Sequence, residues 1–493
     1  MKKFGLLLLF CFVTFLLFGQ KNNNLNNQNQ LDSLMQLIRA SYDVPGFTVG
    51  IIKNGDIYYS NALGVQGKKD QAPLTEKSLF HMASVSKPFV ATAVMQLVEQ
   101  GKVDLDKPIT DYLPYFKMKD KRYKKITVKQ VLNHTSGIPD VDDYEWDKPQ
   151  YDDGAAERFV RGFASLKLDF KPGKEHSYSN AAYDMMGDLI AKVSGMTFEE
   201  YMTQKILKPI GMKNSTFLKP DVPEQIATKP HGIGKDLQME ELDIYPYNRR
   251  HAPSSTLHSN VEDMLLWAQV YLNKGEVNGK KIFSSSSYTN LTTVTENAYN
   301  TTDICLGWFT QKSSVTGESI FYHSGGDDGY RTFFCFIPAR KAAVFVMGNN
   351  NSFRSFGTAA HLIRTEIFET PGIWKRPMHL VLKDKILTEG IAACRSFYED
   401  AKQNHEDEYT FNGGDLDDLG YWLLDGGHHQ EALDIFLFNV DLEPEYPGWP
   451  DSVADAYVAM GNKEKAIEWY KKALAINPKQ DFSIKKLKEL QEE

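Results

Sequence analysis

The sequence predicts an α/β domain built on one antiparallel sheet flanked by helices, with an all-helical insertion, followed by a C-terminal α-solenoid. Three observations predict it. β-rich runs occur near the start of the chain and again after Thr302. The stretch between them is helix and loop, to about Asn273. Beyond Pro371 strands vanish and a helical repeat begins. Strands at both ends of a helical insertion point to a sheet closed by the two ends of one domain.

In chain order, Lys2 and Lys3 precede an apolar run from Leu6 to Phe18, and polarity returns at Gly19-Gln20-Lys21. That is the pattern of a secretory signal over residues 1–20. The apolar run is short for a membrane span, which needs about 20 residues, and Cys11 lies too early to carry a lipid. The expectation is an exported bacterial protein, periplasmic or secreted, with no stable membrane span after cleavage. Residues 21–30 read as a polar, Asn-rich linker. A domain over 31–370 follows.

That domain opens with a helix from Leu31 to about Ser41, then strands Gly46–Ile52 and Ile57–Leu63. Asn54-Gly55 between the strands is a hairpin-turn signal. A helix from Ser84 to Gln100 places Val90, Val94, Leu97 and Val98 on one stripe, with Gly101 as its stop. Helices over Ala181–Val193 and Thr197–Leu207 are the clearest in the insertion. Strands are expected at Cys305–Gln311, Ser319–His323, Arg331–Ile337 and Ala342–Met347, and a last helix from about Gly357 to Phe368.

Over 376–493, Gly427 matches Gly461, Ala432 matches Ala466, Phe436 matches Tyr470 and Pro444 matches Pro478. A period of about 34 with a helix-stopping Gly, a small packing residue, an aromatic filler and a terminal Pro is that of tetratricopeptide helix pairs. An earlier degenerate pair around Leu380–Gln403 and a capping helix over Phe482–Gln491 would complete the stack. Such repeats suit a protein or peptide partner.

Composition narrows the function classes. Of 493 residues 42% are hydrophobic and 24% charged, the balance of a globular protein. The net charge of -8, or -10 without Lys2 and Lys3, comes with no basic stripe and excludes nucleic acid as a partner. The signal region holds one of the 4 cysteines; Cys305, Cys335 and Cys394 form no disulfide framework, and Cys335 reads as a buried strand residue. The 12 histidines include no HExxH and no HxH pattern. No metal and no cofactor are expected.

Three short motifs carry chemistry. Ser84-Val85-Ser86-Lys87 opens an apolar helix after a strand-like stretch, which puts Ser84 and Lys87 on one face. The helix N-terminus favours developing negative charge, and a desolvated lysine can take the serine proton. Ser483-Ile484-Lys485-Lys486 repeats the pattern in what reads as a solvated tail. Tyr178-Ser179-Asn180 precedes the helix at Ala181 and follows the turn Phe170-Lys171-Pro172-Gly173-Lys174. A phenol there would relay protons, and the Asn180 amide would hold a substrate carbonyl. Tyr59-Ser60-Asn61 and Tyr288-Thr289-Asn290 share the pattern without that context. His323-Ser324-Gly325-Gly326 ends a predicted strand, where glycines admit a close substrate backbone.

Taken in this order, the motifs resemble those of the penicillin-recognising serine hydrolases. The tyrosine makes the chain most similar to class C β-lactamases and their esterase, D-aminopeptidase and D,D-peptidase relatives. Leu132-Asn133-His134-Thr135-Ser136-Gly137, Pro209-Ile210-Gly211-Met212, Pro253–Ser259 and Leu306-Gly307-Trp308 fit the same family, mostly as structural turns. The resemblance implies Ser84 as nucleophile, Lys87 and Tyr178 as its acid–base partners, and an oxyanion hole from the N–H groups of Ser84 and Gly326. Asn180, His323, Ser324, Gly325 and Gly326 would face the substrate.

His323 departs from the lysine of the β-lactamases in this family. With a reference pKa of about 6.5 it would meet a carboxylate only in part at neutral pH, and better in acid. Asp327 and Asp328 read as a solvated loop, with contact to a substrate amine as the alternative. The substrate expected is a small molecule or peptide with an amide, ester or β-lactam carbonyl. An α/β-hydrolase would need a Gly-x-Ser-x-Gly elbow, which is absent from the sequence. The other competing reading is an inert scaffold that binds partners through its repeats.

Overall fold

A computed structural model places eight strands in one antiparallel sheet. It describes residues 28–141, 143–299 and 301–492; the expected signal segment lies outside the described residues. Numbered along the chain, the sheet strands are β1 Gly46–Lys53, β2 Asp56–Gly64, β3 Glu296–Tyr299, β4 Thr302–Ile304, β5 Phe309–Lys312, β6 Ser319–Asp327, β7 Tyr330–Ile337 and β8 Ala342–Gly348. Their spatial order is β2-β1-β8-β7-β6-β5-β4-β3. The first two strands therefore join the last, Phe47 pairing with Gly348. The antiparallel sheet with its flanking helices agrees with the sequence reading.

The chain divides into two compact units. The larger takes the described residues up to Ala40 with Val44–His231 and Glu241–Gly372; the smaller takes Ser41–Asp43, Gly232–Glu240 and Ile373 onward. A first helix, α1, spans 28–41 and takes in three exposed residues of the expected linker. The hairpin turn falls at Asn54 (φ 57°) and Gly55 (φ 93°), the left-handed pair that matches strand twist.

Helix α2, Ser86–Glu99, is buried on nearly every side from Ser86 to Met95, not along one stripe. Its Phe89 stacks on Trp267 at 3.7 Å, and Val90, Val94 and Leu97 sit in the same core as Trp308 and Phe336. A helix covered on both sides has no polar face to conserve. Helix α3 spans Asn180–Ser194 and α4 spans Val261–Leu272. The expected helix over Thr197–Leu207 is an α-turn, Phe198–Tyr201, continued by a π-helical stretch, Met202–Leu207. Helix α5, Ser355–Leu362, likewise runs on as a π-helix over Ile363–Ile367.

Two expected strand boundaries are corrected. The run Cys305–Gln311 is split by a turn, with Cys305 N–H donating to Trp308 O at 2.8 Å. Gly307 holds that turn at φ 78°, where a Cβ would sit 2.7 Å from Ala91 Cβ of α2. The strand Ser319–His323 does not stop at His323 but runs on to Asp327, so the His-Ser-Gly-Gly motif lies inside β6.

In the smaller unit, α6 spans Met378–Asn404 and breaks at Gly390, whose φ of 77° and ψ of 175° are not helical. Two segments thus stand where a degenerate pair was expected. Helices α7 Gly413–Asp425, α8 His429–Leu442, α9 Gly448–Ala459, α10 Lys463–Ile476 and α11 Asp481–Glu492 follow. The matched residues Ala432 and Ala466, Phe436 and Tyr470 are fully buried. Ser483 is buried as well, its hydroxyl donating to Asp451, which corrects the solvated tail expected there. Leu237 joins Met378, Leu382 and Ile386 in the core of this unit, and Lys383 Nζ donates to Leu237 O at 2.9 Å. No helix among the described residues is long and apolar enough to cross a membrane.

Phe436→Ala would leave a void in this core, with an expected loss of about 3–5 kcal/mol. A denaturant midpoint for helices α7–α10, read by hydrogen exchange, checks it; an unchanged midpoint contradicts the packing role.

Candidate active site

The chain reaches Ser84 from a short strand, Phe80–His81, paired with His258–Ser259. A single 3₁₀ turn, Ala83–Val85, then feeds α2. Ala83 takes φ 48°, a conformation that alanine adopts only when its surroundings enforce it. The enforcing contacts are present. Met82 N–H donates to Leu257 O at 2.7 Å, Thr332 Oγ1 donates to Met82 O at 2.7 Å, and Ser86 Oγ accepts from Leu257 N–H at 3.0 Å. Strand β6 presses on the turn: a Cβ on Gly325 would lie 2.4 Å from Met82 O and 3.1 Å from Ser84 N. Ser84 caps no helix, since neither the 3₁₀ turn nor α2 has a side-chain cap.

Lys87, one turn on, is fully buried. Its Nζ donates to Ser84 Oγ at 3.0 Å, Asn180 Oδ1 at 2.5 Å and Ser254 O at 2.9 Å. Burial pulls its pKa down to about 8, while Asp184, Asp140 and Asp327 limit the fall. The ammonium also lies 4.9 Å from the Tyr178 ring centroid. The Tyr178 hydroxyl is buried and faces Ser84 without closing a well-shaped hydrogen bond. Burial pushes that phenol well above its ordinary range, which keeps it protonated. Ser84, Lys87 and Tyr178 thus come together.

Asn180 has a different part from the one expected. Its Nδ2 donates to Asp140 Oδ2 at 2.9 Å and to Tyr144 Oη at 2.5 Å, and its Oδ1 accepts from Lys87. An amide has two donor hydrogens, so both are used within the protein. Asn180 holds Lys87 rather than a substrate carbonyl. Asp140 also accepts from the N–H groups of Asn180 and Ala181, at 2.8 and 3.0 Å, at the start of α3.

Further supports went unread in the sequence. His134 Nδ1 accepts from Ser179 N–H at 3.1 Å, its carbonyl accepts from Ser177 N–H at 2.9 Å, and its ring stacks on Tyr178 at 4.3 Å. The Leu132–Gly137 landmark was the available signal, and His134 is more than a turn residue. Behind Ser254, Asp184 accepts from Ser254 N–H at 3.1 Å and from His251 Nδ1 at 2.6 Å. Arg250 Nε donates to His251 Nε2 at 2.9 Å. No sequence spacing brings Asp184, His251 and Ser254 together.

A cleft of about 400 Å³ fronts Ser84, lined also by Tyr178, Phe309, Tyr322, His323, Ser324 and Gly326. It exists because β5 pairs with β6 only from Phe309–Tyr322 to Lys312–Ser319. Beyond that, Ser324–Asp327 pair with β7 alone among the described residues, so one backbone edge stays open. His323 Nδ1 donates to Ser324 O at 2.7 Å. Burial and the charge of Lys87 pull the His323 pKa down to about 3. The expectation of partial protonation near neutral pH is corrected: a ring without solvent stays neutral. Asp328 is exposed, as expected of a loop, but Asp327 is not. Its side chain is 12% exposed and accepts from Ser255 Oγ and, at 2.7 Å, from His81 Nε2.

A family profile described as Beta-lactamase matches residues 31–366, and a tetratricopeptide repeat matches 452–480. The chain belongs to the β-lactamase family. Among its relatives is Protein flp of Staphylococcus aureus (strain MW2), 28% identical over 330 residues, which make up 66% of this chain and 64% of that protein. The chain thus spans less than two thirds of Protein flp. Penicillin-binding protein 4* of Bacillus subtilis (strain 168) is 27% identical over 337 residues, 65% of this chain and 72% of that protein. The octameric penicillin-binding protein homologue from Pyrococcus abyssi superposes with a TM-score of 0.61 at 26% identity, covering 70% of this chain and 78% of that one. The penicillin binding protein from Bacillus halodurans, with a TM-score of 0.57 at 23% identity over 66% of this chain and 98% of that one, shares the fold. β-Lactamase-family membership makes this, in kind, a serine hydrolase fold.

Because burial lowers its pKa to about 8, Lys87 sheds its proton in that range, and only the neutral amine accepts the Ser84 proton. Labelling of Ser84 by a fluorophosphonate is expected to quicken about tenfold from pH 6 to pH 7 and to level off above pH 8. A rate flat from pH 6 to 9 contradicts this assignment. Lys87→Arg, charged at every accessible pH, should slow labelling by about 10²- to 10⁴-fold.

Proposed function

We propose that the protein is an exported serine hydrolase that works through an acyl-enzyme, as an esterase or peptidase relative of the class C β-lactamases. The observation that carries this reading is the 3.0 Å contact from Lys87 Nζ to Ser84 Oγ at a lysine without solvent. Neutral Lys87 takes the Ser84 proton as Oγ bonds to the carbonyl carbon of an ester, amide or β-lactam. The N–H groups of Ser84 and Gly326 receive the oxyanion. On collapse the bond to the leaving group breaks, and that group takes a proton from the Lys87 ammonium by way of the Tyr178 phenol. A water molecule then gives a proton to Lys87 and its hydroxyl to the acyl carbon. Release of the acid returns the proton to Ser84.

The neutral His323 sets the substrate preference. A lysine at that position would be a fixed cation for the carboxylate of a penicillin or a terminal D-alanine; a buried neutral imidazole is not. Esters and amides without a free carboxylate are the preferred class. The helical repeats would hold a protein or peptide partner.

An active-serine fluorophosphonate is expected to add mass to the protein, and Ser84→Ala to abolish it. Ser86→Ala and Ser483→Ala should retain labelling, because those hydroxyls bond to Leu257 N–H and Asp451. Unlabelled native protein would favour the inert scaffold. His323→Lys should raise the ratio of carboxylate to neutral substrate turnover about ten- to a hundredfold, the worth of one charged hydrogen bond. Efficient penicillin hydrolysis by the native protein would contradict the part given to His323.

A further inference from the structure

A second cavity of about 390 Å³ in the same unit adjoins the cleft at Ser84. Tyr322 and Phe356 wall both. Beyond them the second cavity is lined by Val315, Phe333, Ile363 and Phe368. The shared wall is a built aromatic cluster. Tyr322 stacks on Phe333 at 5.7 Å and 21°, and Phe356 meets both edge-on, at 5.9 and 5.3 Å. Phe356 and Val315, both in the cavity lining, are 45% and 51% exposed.

Charge sharpens the picture. Among the described residues no acidic side chain lines either cavity, and the lining of the first carries no charged side chain. The cations of the second, Lys312 and Arg364, carry their charge at the ends of long stems. Water held against Phe356 and Val315 gains little there and is released by an apolar ligand. The ordinary alternative is a dent between a strand and a helix; the two rings it shares with the cleft at Ser84 favour a link to that cleft instead.

We propose that the second cavity is a subsite for an apolar chain carried by the substrate, so that the preferred substrates are esters or amides of medium-length alkyl or aryl-alkyl groups. This rests on the hydrolase reading above and adds the substrate's chemistry. Either side of the scissile carbonyl can bear the chain, and the test distinguishes them.

The native protein is assayed with p-nitrophenyl esters from acetate to dodecanoate, and separately with methyl to octyl acetates. In one series kcat/KM is expected to rise about two- to fourfold per methylene up to about eight carbons, the gain from burying each methylene. The series that rises assigns the side. Val315→Asp, at an exposed position, and Phe356→Ala should each lower the octanoate-to-acetate ratio, or the matching alkyl ratio, at least tenfold. Acetate turnover with neither series rising, or ratios unchanged in both variants, overturns the subsite while leaving the hydrolase reading in place. No turnover of any ester, with no Ser84 labelling, overturns both.

Discussion

The site is organised by the cost of keeping one ammonium out of water. Lys87 has no exposed surface, and an isolated cation so placed would be several kcal/mol less stable than in solvent. Three acceptors and the nearby carboxylates of Asp184, Asp140 and Asp327 offset part of that penalty, and burial still lowers the pKa to about 8. A lysine at its reference value would be neutral in well under 1% of molecules at pH 7, whereas one at 8 is neutral in about a tenth. Desolvation is thus both the structural burden and the source of basicity.

The surrounding layers keep those acceptors in place. Asn180 can turn its oxygen to Lys87 because Asp140 and Tyr144 bind its nitrogen. The Ser254 carbonyl is aimed by its own N–H bond to Asp184, which His251 partners in turn. On the other side, Gly325 lets β6 lie against the Ser84 turn, and Thr332 ties Met82 to the sheet. The left-handed Ala83 is the strained link in this arrangement. Its position directly before Ser84 is where stored strain would hold a hydroxyl toward the cleft.

The substrate side has the opposite character. Apart from Ser84, Thr302, Ser324 and the open edge of β6, it offers rings: Tyr178, Phe309, Tyr322, Phe356 and a neutral His323. His323 is neutral for the reason that Lys87 is basic, because both lie beneath the same dry surface and Lys87 adds its charge to the disadvantage of a second cation. A site with one buried cation already in place does not readily accommodate another.

Much of this was legible along the chain, and the limits of legibility are physical. Local rules wrote the Asn54-Gly55 hairpin, the one-turn spacing of Ser84 and Lys87, the Tyr178 loop before α3 and the 34-residue repeat, since each depends on residues near one another in sequence. Boundaries set by contacts from afar were not: the turn at Gly307 lies against Ala91, where a Cβ would not fit, and β6 runs through its motif because β7 pairs with it there. The same holds for charge and role. Residue type alone left His323 near pH 6.5 and Asn180 facing a substrate; burial beside Lys87 and the grip of Asp140 and Tyr144 decided otherwise. The sequence by itself determined which groups are the candidates for chemistry and on which local elements they lie. Tertiary structure alone decided their protonation and partners, because solvation and hydrogen bonding depend on atoms brought together from distant parts of the chain.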